Sequence, residues 1–199
     1  MRPILPKAGS FFSYAQQIDN AGVYSNRGPQ VTALEKGYAE RLGVLDFSRV
    51  VLCSNATVAL QGALQVSEVS EWRVQAFTFA ATIHAAIQSQ KEISLADVGL
   101  DTWGALPSEG CDPGQGLLTV LPFGGEFHSI MFKDQKHLVI DAAASLGNAN
   151  KWVNLMKPDW IAVFSLHATK SFGIGEGGLA VFGSSENAQK FRNWINFGF

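Results

Sequence analysis

From Val50 onward the chain repeats one device: a short, largely apolar run, a polar turn, a helical stretch, then another apolar run. The runs are Val50–Cys53, Val74–Phe77, Ile93–Ala96, Leu117–Leu121, Leu138–Ile140, Trp160–Phe164 and Leu179–Phe182. Strands apolar at nearly every position are buried on both faces, which is the environment of a mostly parallel sheet covered by helices above and below. The intervening segments fit that role. Ala56–Val66 is apolar almost all round, Thr82–Gln90 is rich in Ala and Ile, and Ser185–Phe197 places Phe191, Trp194 and Ile195 on one helical face. With 47% hydrophobic and 16% charged residues over 199 positions, the chain has the material for one large buried core.

Before this pattern, the first thirty residues read as loop, punctuated by Gly9, Gly22, Gly28 and Pro29. Thr32-Ala-Leu-Glu35 matches a capping box and opens a helix with Leu34, Tyr38 and Leu42 on one face, closed by Gly43. Gly99–Gly116 has no periodicity and reads as a connecting loop. Fifteen Lys and Arg against seventeen Asp and Glu provide neither a basic footprint for nucleic acid nor a polybasic membrane patch. Cys53 and Cys111 make no disulfide framework, the start has no apolar signal segment, and no run is long enough to span a membrane. A cytoplasmic setting is expected.

In an open parallel sheet, ligands bind beyond the carboxyl ends of the strands, so the residues just past each apolar run carry the chemistry. After Val50–Cys53 comes Ser54-Asn-Ala-Thr57, a helix start whose free N–H groups suit an anion; an ordinary cap by Ser54 or Asn55 reads equally well. After Leu138–Ile140 comes Asp141, an acid that needs a partner if buried, or that caps a nearby loop. After Trp160–Phe164 comes Ser165-Leu-His-Ala-Thr-Lys170, then Gly173 to Gly178. A lysine in a partly desolvated pocket favours its amine form, as imine chemistry requires, and Lys170 is the most informative residue of the chain. Gly173, Gly175 and Gly178 match G-x-G-x-x-G, but the strand-like Leu179–Phe182 comes next, where a dinucleotide site needs a helix. No glycine-rich loop precedes Lys170, which excludes a Walker loop. The histidines and cysteines lack metal-ligand spacing, and no G-x-S-x-G elbow surrounds Ser165. His84 and His137 read as structural histidines.

A helix start for an anion, a strand-end Asp and a strand-end Lys together meet the demands of pyridoxal 5'-phosphate (PLP): a phosphate cradle, a carboxylate for the ring nitrogen and an imine-forming lysine. The chain also resembles the DegT/DnrJ/EryC1/StrS aminotransferases, which act on nucleotide-linked keto-sugars. The resemblance runs from Ser25-Asn-Arg-Gly-Pro29 to Arg192-Asn-Trp-Ile-Asn-Phe-Gly198 and is most specific in Ser165–Gly178. It implies the three-layer α/β large domain of fold-type I PLP-transferases, a mostly parallel seven-stranded sheet with one antiparallel strand. In that domain 1–30 would be an N-terminal arm, 31–184 the sheet with its helices, and 185–199 the start of a connecting helix, with the C-terminal small domain absent.

The resemblance further implies that Lys170 bonds the cofactor and moves the proton, while Asp141 keeps the ring nitrogen protonated. Ala56 and Thr57 would bind the phosphate mainly through backbone N–H groups, and Ser165 would add its hydroxyl. Phe79 matches the ring-stacking position, core packing being its other reading. Three positions depart from the family's pattern: Ala144 stands where Gln or His is usual, Ala56 where Gly is usual, and His84 where Asn is common. Implied partners are a nucleotide-sugar substrate, an amino-acid donor (glutamate) and a second copy in a homodimer. The competing expectations are a non-catalytic relic of the fold and, ranked last because Lys170 is present, a related dehydratase.

Overall fold

The computed structural model describes residues 3–25, 27–101, 103–104, 112 and 114–198; Asn26, Cys111 and much of the Gly99–Gly116 segment lie outside them. Strands β1 (Val50–Cys53), β2 (Glu71–Gln75), β3 (Glu92–Ala96), β4 (Gly116–Val120), β5 (His137–Asp141), β6 (Trp160–Ser165) and β7 (Gly178–Phe182) form one sheet in the order β1-β7-β6-β5-β4-β2-β3. β7 runs against both of its neighbours, β1 and β6, and the remaining pairs are parallel. The expected sheet, with its single antiparallel strand, is the one present.

Helices α1 (Phe12–Ala21), α2 (Pro29–Leu42), α3 (Ala56–Val66), α4 (Ala80–Gln88) and α5 (Ser185–Ile195) complete the regular elements. Strand side chains alternate between two separate cores, which makes the fold three-layered. Leu138 and Ile140 join Leu42, Trp152 and Phe164 on the α2 face. Val139 joins Leu60, Leu64 and Phe191 on the face covered by α3, α4 and α5. On that second face α3 and α5 approach closely, since a Cβ at Gly62 would run into the rings of Phe191 and Trp194. Among the described residues no helix is long and apolar enough to cross a membrane.

Four local expectations are corrected. The first thirty residues are not all loop, because Phe12–Ala21 is helical, although no residue of α1 is buried. Thr32–Glu35 is not a capping box. α2 begins three residues earlier, with Gly28 extended at the cap and Pro29 in the first turn, where its missing N–H costs nothing. β2 stops at Gln75, and Phe77 lies in the loop beyond it, 38% exposed. α4 begins at Ala80 rather than Thr82.

Glu35 is instead buried, and it serves the sheet edge. β1 has a neighbour on one side only, so Val50 and Leu52 turn their backbone polar groups outward, and an open edge needs partners. The Leu52 N–H donates to Glu35 Oε1 (3.2 Å), and Arg192 Nη2 donates to the Val50 carbonyl (2.8 Å). Arg192 Nη2 also lies 3.5 Å from Glu35 Oε2, with side-chain exposures of 8% and 1%. Two side chains from α2 and α5 thereby close the edge and hold both helices to it.

Losing Arg192 removes one of the two guanidinium partners of Glu35, leaving it Arg27 at 3.1 Å, and strands the Val50 carbonyl. Arg192→Leu is therefore expected to lower unfolding free energy by about 1–3 kcal/mol, while Lys151→Ala, at the exposed Lys151–Glu126 pair, should leave it nearly unchanged, both measured by urea denaturation. Gly62→Val should destabilise by about 1–3 kcal/mol through overpacking between α3 and α5, read as a lower thermal midpoint.

Candidate active site at the carboxyl ends of the strands

Strand register aligns the reactive positions. Gly178, the first residue of β7, pairs with Cys53 on one side and Ser165 on the other, so the carboxyl ends of β1 and β6 finish side by side. Asp141 ends β5 next door, level with Val120 on β4 and Val163 on β6. The reversed strand is what returns the chain from β6 to this rim.

At the end of β1, Asn55 is the cap of α3, and its side-chain oxygen accepts the Val58 N–H (2.9 Å). Its carbonyl accepts the Ala59 N–H (3.1 Å). The first-turn N–H groups of Ala56 and Thr57 are left over, as they are at any helix start. Both readings of this segment therefore coexist: Asn55 caps, and two donors remain for an anion. A Cβ at Gly178 would collide with the Asn55 carbonyl group, so the last glycine of the Gly173–Gly178 run is what lets β7 abut this cradle.

At the end of β6, Ser165 is buried, and its Oγ accepts the His167 N–H (3.2 Å), leaving the hydroxyl hydrogen for another acceptor. The chain then folds back tightly. Leu166 N–H donates to Gly177 O (2.9 Å), Ala168 N–H to Gly175 O (2.8 Å) and Lys170 N–H to His167 O (2.9 Å). The Thr169 N–H donates to His167 Nδ1 (3.2 Å), which requires that nitrogen to be unprotonated. Lys170 is half-buried at the tip of this fold.

Asp141 is 5% exposed. Burial pushes its carboxyl above the ordinary range, opposed by hydrogen bonds from Thr82 and Ala143 and by the positive charge of Lys170. Thr82 Oγ1 donates to Oδ2 at 2.5 Å, and the Ala143 N–H donates to Oδ1 at 3.1 Å. Lys170 and Asp141, 29 positions apart in sequence, thus bear on one another electrostatically. The loop-capping reading of Asp141 holds only for the Ala143 bond.

Phe79 is the cap residue of α4 and is 78% exposed, so it is not part of the core. Ala144 places a methyl group, and no side-chain donor, three residues past Asp141. His84 is exposed and paired with the Gln88 side chain at 2.7 Å. His137 faces Asp159 at 3.9 Å, and burial lowers its basicity.

Thr82 is the residue that sequence reasoning missed. Its signal was a lone hydroxyl inside the Ala-Ile-rich stretch Ala80–Ile87, since a polar group on an otherwise apolar helix needs a partner. Gln75 is a second. Its Nε2 donates to the carbonyls of Phe77 (2.8 Å) and Trp103 (2.9 Å), and its Oε1 accepts the Val120 N–H (2.9 Å), so one buried amide secures the loops around Phe79.

The donor set fits PLP. Two unpaired helix-start donors and a serine hydroxyl can hold a dianion, a buried carboxylate can face a ring nitrogen, and a lysine stands across from it. The three-layer fold is also that of aminotransferases of known structure. It superposes with TM-score 0.83 on a Bacillus cereus protein assigned as a PLP-dependent aminotransferase, at 26% identity, covering 100% of this chain and 58% of that one. DesI, solved in the presence of its TDP-sugar product, gives 0.86 at 26% identity, covering 100% and 52%. The chain belongs to the DegT/DnrJ/EryC1/StrS aminotransferase family, which it matches over residues 7–109 and 127–199. A curated relative, the dTDP-4-amino-4,6-dideoxy-D-glucose transaminase of Shigella dysenteriae, is 29% identical over 208 residues, covering 100% of this chain and 56% of that protein. The chain spans about half the length of the curated relatives it matches.

The buried carboxyl makes a signed prediction. A group that ionises less readily when folded holds its proton more tightly in the folded state, so its stabilising contribution is full below 3.8, its ordinary value. That contribution declines as pH rises through the window between 3.8 and the higher folded value. Asp141→Asn abolishes the window. Urea titrations across the acid range should show wild type losing stability relative to Asp141→Asn as pH rises. A constant difference would mean that the folded carboxyl is not raised.

Proposed function

We propose that this chain is the cofactor-binding large domain of a PLP-dependent aminotransferase that acts on a nucleotide-linked keto-sugar. The observation that carries the reading is the convergence of the α3 start, Asp141 and Lys170 on one rim of the sheet, with the Lys170 charge acting on the Asp141 carboxyl. When bound, PLP supplies an electron sink for the carbanionic charge that develops as an amino group is transferred.

Each residue then has a defined task. The N–H groups of Ala56 and Thr57 and the hydroxyl of Ser165 hold the phosphate. Phe79, exposed at the rim, would stack on the ring and shield one face from water. Asp141 holds the proton at the ring nitrogen. Lys170 Nζ would hold the cofactor and would serve as the base for the proton on the substrate carbon that carries the nitrogen. With Ala144 offering no donor, the ring oxygen is left to other groups or to water.

The substrate class is supported by the dTDP-sugar transaminase relative and by the TDP-sugar product present with DesI. Glutamate as amine donor and a cytoplasmic setting complete the reading. A homodimer agrees with the exposed Phe11, Phe12 and Tyr14 around α1, a helix that buries none of its own residues.

Adding PLP to the purified chain should produce a visible band absent from free PLP, and borohydride should then leave the cofactor's mass on the peptide containing Lys170. Lys170→Ala should lose both signals, and Asp141→Asn should weaken binding about tenfold or more. Identical spectra for wild type and Lys170→Ala would overturn the proposal. Amine transfer from glutamate to a dTDP-linked 4-keto-6-deoxy sugar, monitored as 2-oxoglutarate release, tests the substrate class.

A further inference from the structure

We propose that Thr82, backed by Thr78, is the positioning residue that orients the Asp141 carboxylate and holds it ionised toward the ring-nitrogen position. This role rests on the cofactor-site reading above, but the arrangement belongs to the chain alone. Thr82 Oγ1 lies 2.5 Å from Asp141 Oδ2, and Thr78 Oγ1 lies 2.7 Å from Thr82 Oγ1. Thr82 is fully buried.

A hydroxyl has one hydrogen. If Thr82 gives it to Asp141, its lone pair receives the hydrogen of Thr78, and the chain runs Thr78 to Thr82 to carboxylate. The other oxygen, Oδ1, faces the Ala143 N–H at 3.1 Å, a group that can only donate. Held from both flanks by donors, the ionised carboxylate has a set plane and one hydrogen bond on each oxygen. Protonation would force Oδ2 to donate. Thr82 and Thr78 would both have to reverse, leaving Thr78 with the Phe79 carbonyl at 3.4 Å, a poor acceptor geometry.

The remaining surroundings do not settle the charge. β4 and β6 present Val120 and Val163 at the level of Asp141, and Lys170 is the charged group whose field favours ionisation. Burial works against it. The two hydroxyls therefore decide on the α4 side. They also link depth to rim: Phe79 caps α4, and its carbonyl accepts the Thr82 N–H (3.0 Å), so the exposed ring and the buried donor share one turn.

The test uses the intact chain labelled with carboxyl-13C aspartate, the Asp141 resonance being identified by its loss in Asp141→Asn. In Thr82→Val, which keeps shape and removes the donor, the Asp141 titration midpoint should move to higher pH. In Thr82→Ser it should return, and in Thr78→Val it should move the same way by less. With PLP added, Thr82→Val should bind about tenfold more weakly.

An unmoved midpoint in folded Thr82→Val, or an equal shift in Thr82→Ser, would overturn the inference. If Thr82→Val does not fold, the half-buried Thr78→Val carries the same decision, and an unmoved midpoint there overturns it. The carboxyl titration needs no cofactor, so a chain that shows the relay yet never binds PLP refutes the aminotransferase reading and leaves this one standing.

Discussion

Because strands β4 to β7 are buried on both faces, the reactive side chains sit at their ends, and the reversed strand β7 decides which ends meet. Between β6 and β1, a parallel strand would have needed a crossover helix. The antiparallel one needs only the turn from Leu166 to Gly177, stitched by its own backbone hydrogen bonds. That turn carries Lys170 to the rim, and its last glycine, Gly178, lets Asn55 and the α3 start close in from the other side. A single choice of strand direction thus joins a helix start, a carboxylate and an amine that lie far apart in sequence.

The same strand order creates a liability at β1, which has one neighbour and an open edge. Glu35 and Arg192 answer it by taking the outward N–H and C=O groups of Leu52 and Val50. Both charges are almost completely buried, and burial works against even the arginine's charge, with Glu35 favouring it. Such a pair gains little over an apolar pair of the same shape but is costly to break. It ties α2 and α5 to the outward-facing groups of β1, the strand that leads into α3.

Much of this was legible in sequence because two-sided burial writes itself plainly. Trp160–Phe164 and Leu179–Phe182 are apolar at every position, and they fall within strands whose residues are all buried. Ala56–Val66 matched to the residue, because its capping Asn55 and its apolar surface point the same way. What failed was polar and long-range. Glu35 satisfied a local capping rule on paper but bonds Arg27 before its helix, Leu52 on β1 and Arg192 on α5. Thr82 read as a helix start, since nothing local says that its hydroxyl meets an aspartate 59 positions on. α1 was missed because the glycines on either side of it, Gly9 and Gly22, read as loop punctuation.

The site also stores strain that the fold must offset. Phe123 and Trp103 both hold left-handed backbone at φ 56°, which costs a residue other than glycine on the order of 1–3 kcal/mol. Their rings pack against Phe77, with centroids 6.3 and 4.9 Å away, beside the loop that leads to Phe79. Gln75 makes this tenable by bonding the Phe77 and Trp103 carbonyls from a fully buried position. Asp141 adds a second opposing term, since its charge is penalised by the burial that makes it useful. A carboxylate in water would exchange partners freely and orient nothing. Withdrawn from water and pinned between Thr82 and Ala143, it is held in one orientation, with the Lys170 charge acting on it.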